Sequence, residues 1–198
     1  MIKRAFDLLA SASGLVVLAP LLLLIAVAVK LDSPGPVLFR QERVGRNGRI
    51  FRIRKFRTMV RDAPRLGGAI TVGRDPRITR VGHALRRYKL DELPQLIDVL
   101  LGDMSLVGPR PEVPKYVALY PPGIRERVLS VRPGLTDNAS LAYIDENAQL
   151  AGAADPEREY VEKILPEKLR LYVEYVDNRS LALDLSIIGR TAARIIVH

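Results

Sequence analysis

The longest apolar run in the sequence lies close to its N-terminus. From Leu8 to Val29 no residue carries a charge, and the run is 22 residues long. As one continuous helix it would measure about 33 Å, enough to cross the hydrocarbon core of a bilayer. The pattern therefore places about the first 30 residues in lipid.

Three interpretations of this segment stay open on the residues alone. A secretory signal peptide would explain Lys3, Arg4 and the small residues at 26–28, but Pro20 interrupts the apolar region and a basic stretch follows at once. A single spanning helix fits the length, yet positive residues flank both ends, and the positive-inside rule keeps both ends in the cytoplasm. A helix broken at Pro20, with Ser11 helping to satisfy the freed backbone groups, enters and leaves by the same face.

Residues 37–56 alternate between strand-type residues and arginines. Asn47-Gly48, near the middle, is a strong signal for a tight turn between two strands. The segment therefore predicts a short β-hairpin whose exposed positions are mostly arginine. The strand-type positions are Val37, Phe39, Ile50 and Ile53.

The chain after the hairpin changes from loop signals to helical spacing. Residues 57–82 predict loops, punctuated by Gly67-Gly68, Gly73, Asp75-Pro76 and Gly82. Residues 89–101 predict a helix with one buried stripe, because leucine and isoleucine recur at helical spacing.

The remaining elements are mainly helical. Three prolines in residues 107–116 prevent a regular helix through Pro114 and stiffen the chain around Arg110. Helices are predicted over about 122–130 and 156–178. The apolar tail from 180 to 197 suits a helix lying on a membrane surface and an ordinary packed helix equally well.

Composition excludes several kinds of site. The chain has no cysteine and two histidines, so it holds no disulfide framework, thiol nucleophile or histidine-based metal site. Its net charge of +9 is uneven, because residues 30–89 carry 17 Lys and Arg against 4 Asp and Glu, a net +13. This basic middle must face an anionic partner: nucleic acid, phospholipid headgroups or a phosphorylated substrate.

The adjacent carboxylates Asp91 and Glu92 are the candidate reaction centre. Alone, such a pair is most often structural, and Asp91 is well placed as the N-cap of the following helix. Its neighbours favour chemistry, because arginines and lysines surround the pair in the sequence: Arg80, Arg86, Arg87, Lys89 and Arg110. Such carboxylates can hold Mg²⁺, and one can attack phosphorus to form an acyl phosphate.

Five ordered motifs make the chain similar to the small monotopic phosphoglycosyl transferases, bacterial sugar transferases that begin glycoconjugate or exopolysaccharide assembly on a polyprenol carrier. The similarity covers nearly the whole chain. The motifs are "KRAFD" (3–7), "SPGPVLFRQERVGRNGRIFRIRKFRTM" (33–59), "LDELPQLIDVLLGDMSLVGPRPE" (90–112), "RPGLT" (132–136) and "YVDNRSLALDLSII" (175–188).

The resemblance implies an α+β, mainly α, monotopic membrane protein with a small β-hairpin and surface amphipathic helices. Residues 1–31 would form a re-entrant helix-break-helix. Residues 32–198 would form one catalytic unit on the cytoplasmic face of the bacterial inner membrane. Membrane lipids are further expected partners, nucleic acid is not, and the resemblance leaves room for a homodimer.

The resemblance also implies a two-step reaction. Asp91 would attack the β-phosphate of a nucleotide diphosphate sugar, usually a UDP-sugar, and release UMP; polyprenol phosphate would then take the phosphosugar. Glu92 would assist as positioning group or base, and Mg²⁺ would be held mainly by Asp91. The residues implied for substrate phosphate are Arg86, Arg110, Lys55, Arg57 and Arg132, and those for the membrane anchor and its bend are Lys3, Arg4 and Pro20.

The chain departs from the family pattern at two places. Ala19 stands where members usually carry a serine before Pro20. After "RPGLT" the chain reads "DNASLAYIDENAQL" and lacks an Asn-Gly-Arg element, so an arginine that would help to read the substrate is missing. The resemblance therefore does not identify the sugar.

A second hypothesis is a basic membrane-bound scaffold or nucleic-acid-binding protein in which Asp91-Glu92 only begins a helix. A pI near 10.1 fits such a protein. The chain has no tryptophan and no aromatic-rich basic element for base stacking, which speaks against nucleic acid. The two hypotheses differ in covalent chemistry, which only the enzyme performs.

Overall fold

The structure is a computed structural model and describes residues 2–66, 73, 75–144 and 146–197. The described chain is mainly helical with two small sheets. The helices are α1 (Ile2–Asp32), α2 (Ala63–Leu66), α3 (Arg80–Arg87), α4 (Gln95–Leu101), α5 (Pro114–Val117), α6 (Pro122–Leu129), α7 (Asn138–Ala142), α8 (Glu146–Ala151), α9 (Pro156–Glu159), α10 (Leu165–Asn178) and α11 (Leu181–Val197). The strands are β1 (Leu38–Val44), β2 (Ile50–Phe56), β3 (Ser105–Val107) and β4 (Gly134–Thr136).

The N-terminal apolar run forms a helix, α1, that continues through Pro20. The helix is therefore not interrupted at Pro20, because one proline removes a single helix N–H while the turns on either side keep their hydrogen bonds. A bend at Pro20 stays a prediction. The helix is long and apolar enough to cross a membrane, and only 11% of its apolar window is buried. Ser11, expected to help at the break, is fully buried, and its Oγ finds no partner within the described chain.

The start of α1 is bonded to the rest of the protein. The Arg4 guanidinium donates to the carbonyl oxygens of Val99 (2.7 Å) and Leu100 (3.1 Å), at the end of α4. Lys3 Nζ lies 2.6 Å from the buried carboxylate of Asp184 in α11. The predicted membrane-anchor residues Lys3 and Arg4 thus place their charges within the protein and fix the helix to it.

The end of α1 is bonded to the same body. Asp32 Oδ2 accepts a hydrogen bond of 3.0 Å from the backbone N–H of Val81 in α3. The buried Arg57 guanidinium donates to the carbonyl oxygens of Val29 (3.1 Å), Ser33 (2.7 Å) and Pro34. Arg57 therefore satisfies carbonyl groups at the helix end, where the last turn has no intrahelical partners.

The predicted hairpin over 37–56 is confirmed. Strands β1 and β2 pair antiparallel with Val44 opposite Ile50, and Asn47 and Gly48 take positive φ values of 57° and 78°. One face of the hairpin packs on α4 in a small apolar core of Phe51, Ile53, Val99 and Met104. The hairpin is therefore held rigidly above α4.

The helix predicted over 89–101 is divided. A 3₁₀ turn spans Leu90–Glu92, and α4 begins only at Gln95, with Pro94 as its N-cap residue. The prediction that Asp91 caps this helix is therefore wrong. Proline favours the start of a helix, so the chain enters α4 through Pro94, and Asp91 lies outside the helix.

Gly82, predicted to mark a loop, lies inside α3. A Cβ at this position would lie 2.2 Å from the carbonyl oxygen of Thr58, so only glycine lets α3 approach so closely. The side chain of Thr79 caps the helix by accepting from the N–H of Gly82 at 3.0 Å. The predicted Gly67-Gly68 turn lies outside the described residues.

The C-terminal half follows the predictions closely. The segment between Val107 and Pro114 is not helical, and α6 matches the helix predicted over 122–130. The helix predicted over 156–178 consists of α9, a π-helical turn and α10, which packs on α5 and α6. Helix α11 buries Ile187 while Leu185 is 51% exposed, so it packs on the protein and still presents an apolar face.

Candidate active site

The acid pair lies where three segments meet. Asp91 and Glu92 occupy the 3₁₀ turn between α3 and α4. Strand β2 passes beside this turn and brings Lys55, and the proline-stiffened segment after β3 brings Arg110. The sharp change of direction after α3 is made at Lys89, which adopts a left-handed conformation with φ 54°.

Glu92 is held by two cations. Its Oε1 lies 2.8 Å from Lys55 Nζ, and the Arg110 guanidinium donates to both of its oxygens, at 3.1 Å for Oε2. Burial alone would raise the pKa of the Glu92 carboxyl, but Arg110 and Lys55 hold this pKa well below its ordinary value. Glu92 is therefore a fixed anion whose lone pairs are engaged.

Asp91 has a different environment. It is 8% exposed, and its carboxylate has no hydrogen bond or ion pair within the described residues. Burial raises the pKa of this carboxyl, and the charge of Glu92 raises it further, while Lys55 and Arg86 oppose both. Asp91 therefore keeps free lone pairs beside cations that favour its ionised form.

The two carboxylates are thus suited to different tasks. A nucleophile needs free lone pairs, and the Asp91 carboxylate keeps them in the described structure. A general base needs appreciable proton affinity, which the environment of Glu92 removes. Of the two roles expected for Glu92, the arrangement favours positioning over proton transfer.

Helix α3 brings Arg86 to the same region. Its Nε donates a hydrogen bond of 2.8 Å to Thr58 Oγ1, which fixes the direction of the guanidinium. Burial lowers the pKa of Arg86, and the neighbouring Asp91 opposes this. Guanidinium groups remain charged in proteins, so Arg86 adds a permanent positive charge beside the acid pair.

Two of the predicted phosphate-binding residues are not brought to the acid pair. The NH groups of Arg57 are occupied by carbonyl groups at the end of α1. Arg132 donates from Nε to the carbonyl oxygen of Gly102 at 2.8 Å, beside the turn of the hairpin. Tertiary packing, which a linear motif does not specify, directs both to these carbonyl groups, and their predicted part in binding substrate phosphate stays a prediction.

Two buried ion pairs hold the segments that carry Lys55 and Arg110. The sequence did not reveal either pair. Asp98, fully buried in α4, accepts from the backbone N–H of Arg54 at 2.9 Å and pairs with its guanidinium. This pair fixes β2, and with it Lys55, over α4. Glu112 accepts from Tyr160 and faces Arg43, which holds the segment that follows Arg110. Asp98 could have been found in the sequence as a single aspartate within the apolar helical stripe, which indicates a buried carboxylate with a partner.

The oxygen atoms around the acid pair show whether the predicted Mg²⁺ could be held there. The described residues contain no group of three or more Asp, Glu or His side chains that could hold a metal ion by themselves. Of the two carboxylates in the pair, Asp91 alone offers uncommitted oxygens. Mg²⁺ commonly binds through one or two carboxylates, waters and substrate phosphates, so Asp91 fits a metal that arrives with the phosphorylated substrate.

The whole chain, residues 1–198, matches one known family, described as bacterial sugar transferase. The exopolysaccharide production protein PSS of Rhizobium leguminosarum bv. phaseoli is 44% identical over 197 residues, covering 96% of this chain and 93% of that protein. The undecaprenyl-phosphate glucose phosphotransferase of Komagataeibacter xylinus is 45% identical over 198 residues, covering 97% of this chain and 35% of that protein.

A third relative names its substrates. The UDP-glucose:undecaprenyl-phosphate glucose-1-phosphate transferase of Caulobacter vibrioides is 42% identical over 193 residues, covering 96% of this chain and 67% of that protein. The chain thus spans nearly all of the Rhizobium protein but about a third of the Komagataeibacter protein. In all three the similarity runs far beyond the apolar helix, so it does not arise from membrane-segment composition alone.

Proposed function

Because the chain belongs to the bacterial sugar transferase family, we infer that it transfers a sugar 1-phosphate from a UDP-sugar to undecaprenyl phosphate and so initiates exopolysaccharide synthesis. It is a sugar phosphotransferase. Membership of a family of enzymes rules against the scaffold and nucleic-acid hypothesis, in which the acid pair had no chemistry to perform.

The observation that carries the proposed mechanism is the unpaired carboxylate of Asp91 beside the paired carboxylate of Glu92. In the first step an Asp91 oxygen attacks the β-phosphorus of the UDP-sugar. A bond forms between that oxygen and phosphorus, the bond from phosphorus to the bridging oxygen breaks, and UMP leaves with the electron pair. The product is a phosphosugar joined to Asp91 as an acyl phosphate, a mixed anhydride.

In the second step a phosphate oxygen of undecaprenyl phosphate attacks the same phosphorus. The bond to Asp91 breaks, the carboxylate is regenerated, and the sugar leaves on a lipid-linked diphosphate. Splitting one difficult displacement into two in this way lets the water-soluble donor and the membrane-bound acceptor react in turn at one site.

The neighbouring cations serve both steps. Lys55 and Arg86 favour the ionised form of Asp91, as the direction of their effects on its pKa indicates. Glu92 holds Lys55 and Arg110 in place, so that these cations face the phosphoryl oxygens on which negative charge accumulates. Mg²⁺, held by Asp91 and substrate phosphate, would supply further neutralisation of that charge when bound.

We propose a re-entrant topology for α1, with residues 1–31 as the anchor and 32–198 as the catalytic unit on the cytoplasmic face. The helix has 31 residues and is about 46 Å long. Both of its ends bond to the catalytic unit, Arg4 at the start and Asp32 at the end. A helix that crosses the bilayer once would carry its two ends to opposite faces.

Cysteine labelling tests this topology cleanly, because the chain contains no cysteine. Ile2→Cys and Arg40→Cys introduce exposed thiols on either side of the membrane helix, and Glu126→Cys provides a reference in the catalytic unit. All three should react only from the cytoplasmic side. Labelling of the first two from opposite sides would contradict the proposal. Homodimerisation stays a prediction.

The two-step mechanism is tested by UMP release with and without the lipid acceptor. With UDP-glucose and Mg²⁺ alone, the purified protein should release UMP in a burst of one per active enzyme and then stop. Added undecaprenyl phosphate should restore continuous turnover. If no tested UDP-sugar gives UMP without acceptor while turnover is normal with it, transfer is direct and the covalent intermediate is wrong.

A further inference from the structure

A second basic region lies at the turn of the β1-β2 hairpin, away from the acid pair. Here a cavity of about 210 Å³ is bounded by the turn on one side and by Gly102, Asp103 and Arg132 on the other. Six residues of strand separate Arg49 at this turn from Lys55, which corresponds to about 20 Å. The cavity is therefore a separate site and not an extension of the acid pair.

Three arginines line the cavity, and hydrogen bonds fix the directions of two of them. Arg46 Nε donates to the carbonyl oxygen of Ser130 at 3.0 Å, and Arg132 Nε donates to that of Gly102 at 2.8 Å. Each bond orients a guanidinium without using its two terminal NH₂ groups. Arg49, the third arginine, is exposed at the rim.

These positive charges lack counterions within the described part of the chain. There the terminal nitrogens of Arg46, Arg49 and Arg132 have no hydrogen bond or ion pair. Asp103 is the one carboxylate among the described lining residues, and it forms no ion pair with them. Burial lowers the pKa of Arg132, and the charges of Arg4 and Arg46 lower it further, while the charge of Asp7 opposes them. An anion in the cavity would relieve this repulsion.

We propose that this cavity binds a phosphate-class anion through the terminal nitrogens of Arg46, Arg49 and Arg132. Guanidinium groups match phosphate oxygens with paired hydrogen bonds, and the three that line this cavity would present such pairs to a single phosphate. The volume of about 210 Å³ accommodates a phosphate group.

The phosphate can come from two sources that share this chemistry. One is a free or nucleotide phosphate in solution, and the other is the headgroup of an anionic phospholipid. The experiment separates them by offering inorganic phosphate to protein in phosphatidylcholine nanodiscs, and separately by adding phosphatidylglycerol to the nanodiscs. A control with chloride at equal ionic strength shows how much of the response is due to general screening by salt.

The test compares the wild type with Arg49→Gln and with the matched control Arg40→Gln. Both arginines are exposed on the hairpin, but Arg40 lies in β1, away from the turn. Arg132→Gln is a second variant from the opposite wall. Thermal shift and calorimetric titration with inorganic phosphate report the soluble source, and the shift of the unfolding temperature between nanodisc types reports the lipid source.

Saturable phosphate binding that weakens about tenfold in Arg49→Gln and Arg132→Gln, but not in Arg40→Gln, would support the site with a soluble ligand. Stabilisation by phosphatidylglycerol alone, lost in the same two variants, would support it with a lipid headgroup. Equal responses of all four proteins to phosphate and to phosphatidylglycerol would overturn the proposal. Weakening by Arg40→Gln as well would reduce the effect to general surface charge and overturn it too.

Discussion

The two ends of the β1-β2 hairpin present positive charge to the rest of the chain in opposite ways. At the acid-pair end, Lys55 and Arg110 are bonded to Glu92, and each cation has a carboxylate partner. At the turn end, Arg46, Arg49 and Arg132 line one cavity, and in the described structure no ion pair joins them to a carboxylate. Cations at one end are thus bonded to a carboxylate, and those at the other end are not.

The difference shows which groups are left for ligands. Paired charges fix one another, so Glu92 and its two cations define geometry and leave Asp91 as the group with free lone pairs. Unpaired charges are themselves the available groups, as in the arginine cavity. Net charge, which is strongly positive along the whole hairpin, does not distinguish these two cases.

Loss of the Asp91 carboxylate should have the largest effect. Asp91→Asn removes the nucleophile, and we expect turnover to fall by at least about 1,000-fold. Because Asp91 has no partner in the described chain, the unfolding temperature should change little. Asp62→Asn, at an exposed position, is the matched control and should retain wild-type turnover. Substantial turnover by Asp91→Asn would refute the assignment.

Loss of the Glu92 charge should cost both stability and rate. Glu92→Gln leaves Lys55 and Arg110 without their partner, and we expect about 3 kcal/mol of destabilisation. The lowered pKa of Glu92 gives this stabilisation a pH dependence. It is fully present above the ordinary glutamate value of 4.5 and is lost as pH falls through the folded-state value.

The stability advantage of the wild type over Glu92→Gln should therefore be largest near neutral pH and shrink in acid, as measured by denaturant unfolding. The variant should still form the covalent intermediate, only more slowly, because the nucleophile remains. If Glu92→Gln is correctly folded but forms no covalent intermediate, Glu92 and not Asp91 would be the nucleophile, and the assignment would be wrong.

Disrupting the close packing of α3 against Thr58 should have the next largest effect. Gly82→Ala forces a Cβ against the Thr58 carbonyl oxygen, and we expect about 3 kcal/mol of destabilisation with displacement of Arg86. Gly123→Ala in α6 is the control, because a Cβ there meets nothing within 4 Å. It should be neutral or stabilising by about 0.5 kcal/mol. Equal unfolding temperatures for the two variants would contradict the close approach of α3 to Thr58.

The effect of Lys55 on Asp91 should appear as a shift along the pH axis. Asp91 must be ionised to attack, so UMP release in the first step is lost as pH falls through its raised pKa. Lys55 lowers that pKa, so Lys55→Gln should move the acid limb of the rate profile to higher pH. Arg40→Gln, on the same hairpin, should leave the limb in place. An unchanged limb in Lys55→Gln would show that Lys55 does not act on Asp91.

The sequence predicted the local parts of this arrangement. The Asn47-Gly48 turn, the alternating strands and the prolines around Arg110 act through neighbouring residues, and each was confirmed. The start of α4 was missed because the sequence offers two signals for a helix start, Asp91 and Pro94, three residues apart. In the structure the helix starts at the second of them. Pro20 does not interrupt α1, since one lost hydrogen bond does not end a long helix, and a bend there stays a prediction.

The long-range parts were beyond the sequence. Lys55 reaches Glu92 only because the Arg54–Asp98 pair seats β2 on α4, and nothing near Lys55 in the chain announces that contact. Arg57 and Arg132 belong to motifs as basic as those of Arg86 and Arg110, yet packing directs them to backbone carbonyl groups elsewhere. Motif membership did not determine which arginines meet the acid pair.

The most direct test of the mechanism is the intact mass of the protein after incubation with each of several UDP-sugars and Mg²⁺ and no lipid acceptor. With the sugar that the enzyme uses, we predict a mass increase of one sugar phosphate, located on Asp91 by peptide fragmentation and released when undecaprenyl phosphate is added. The adduct should be absent from Asp91→Asn. An enzyme that turns over without any adduct, or an adduct located on Glu92, would contradict the account.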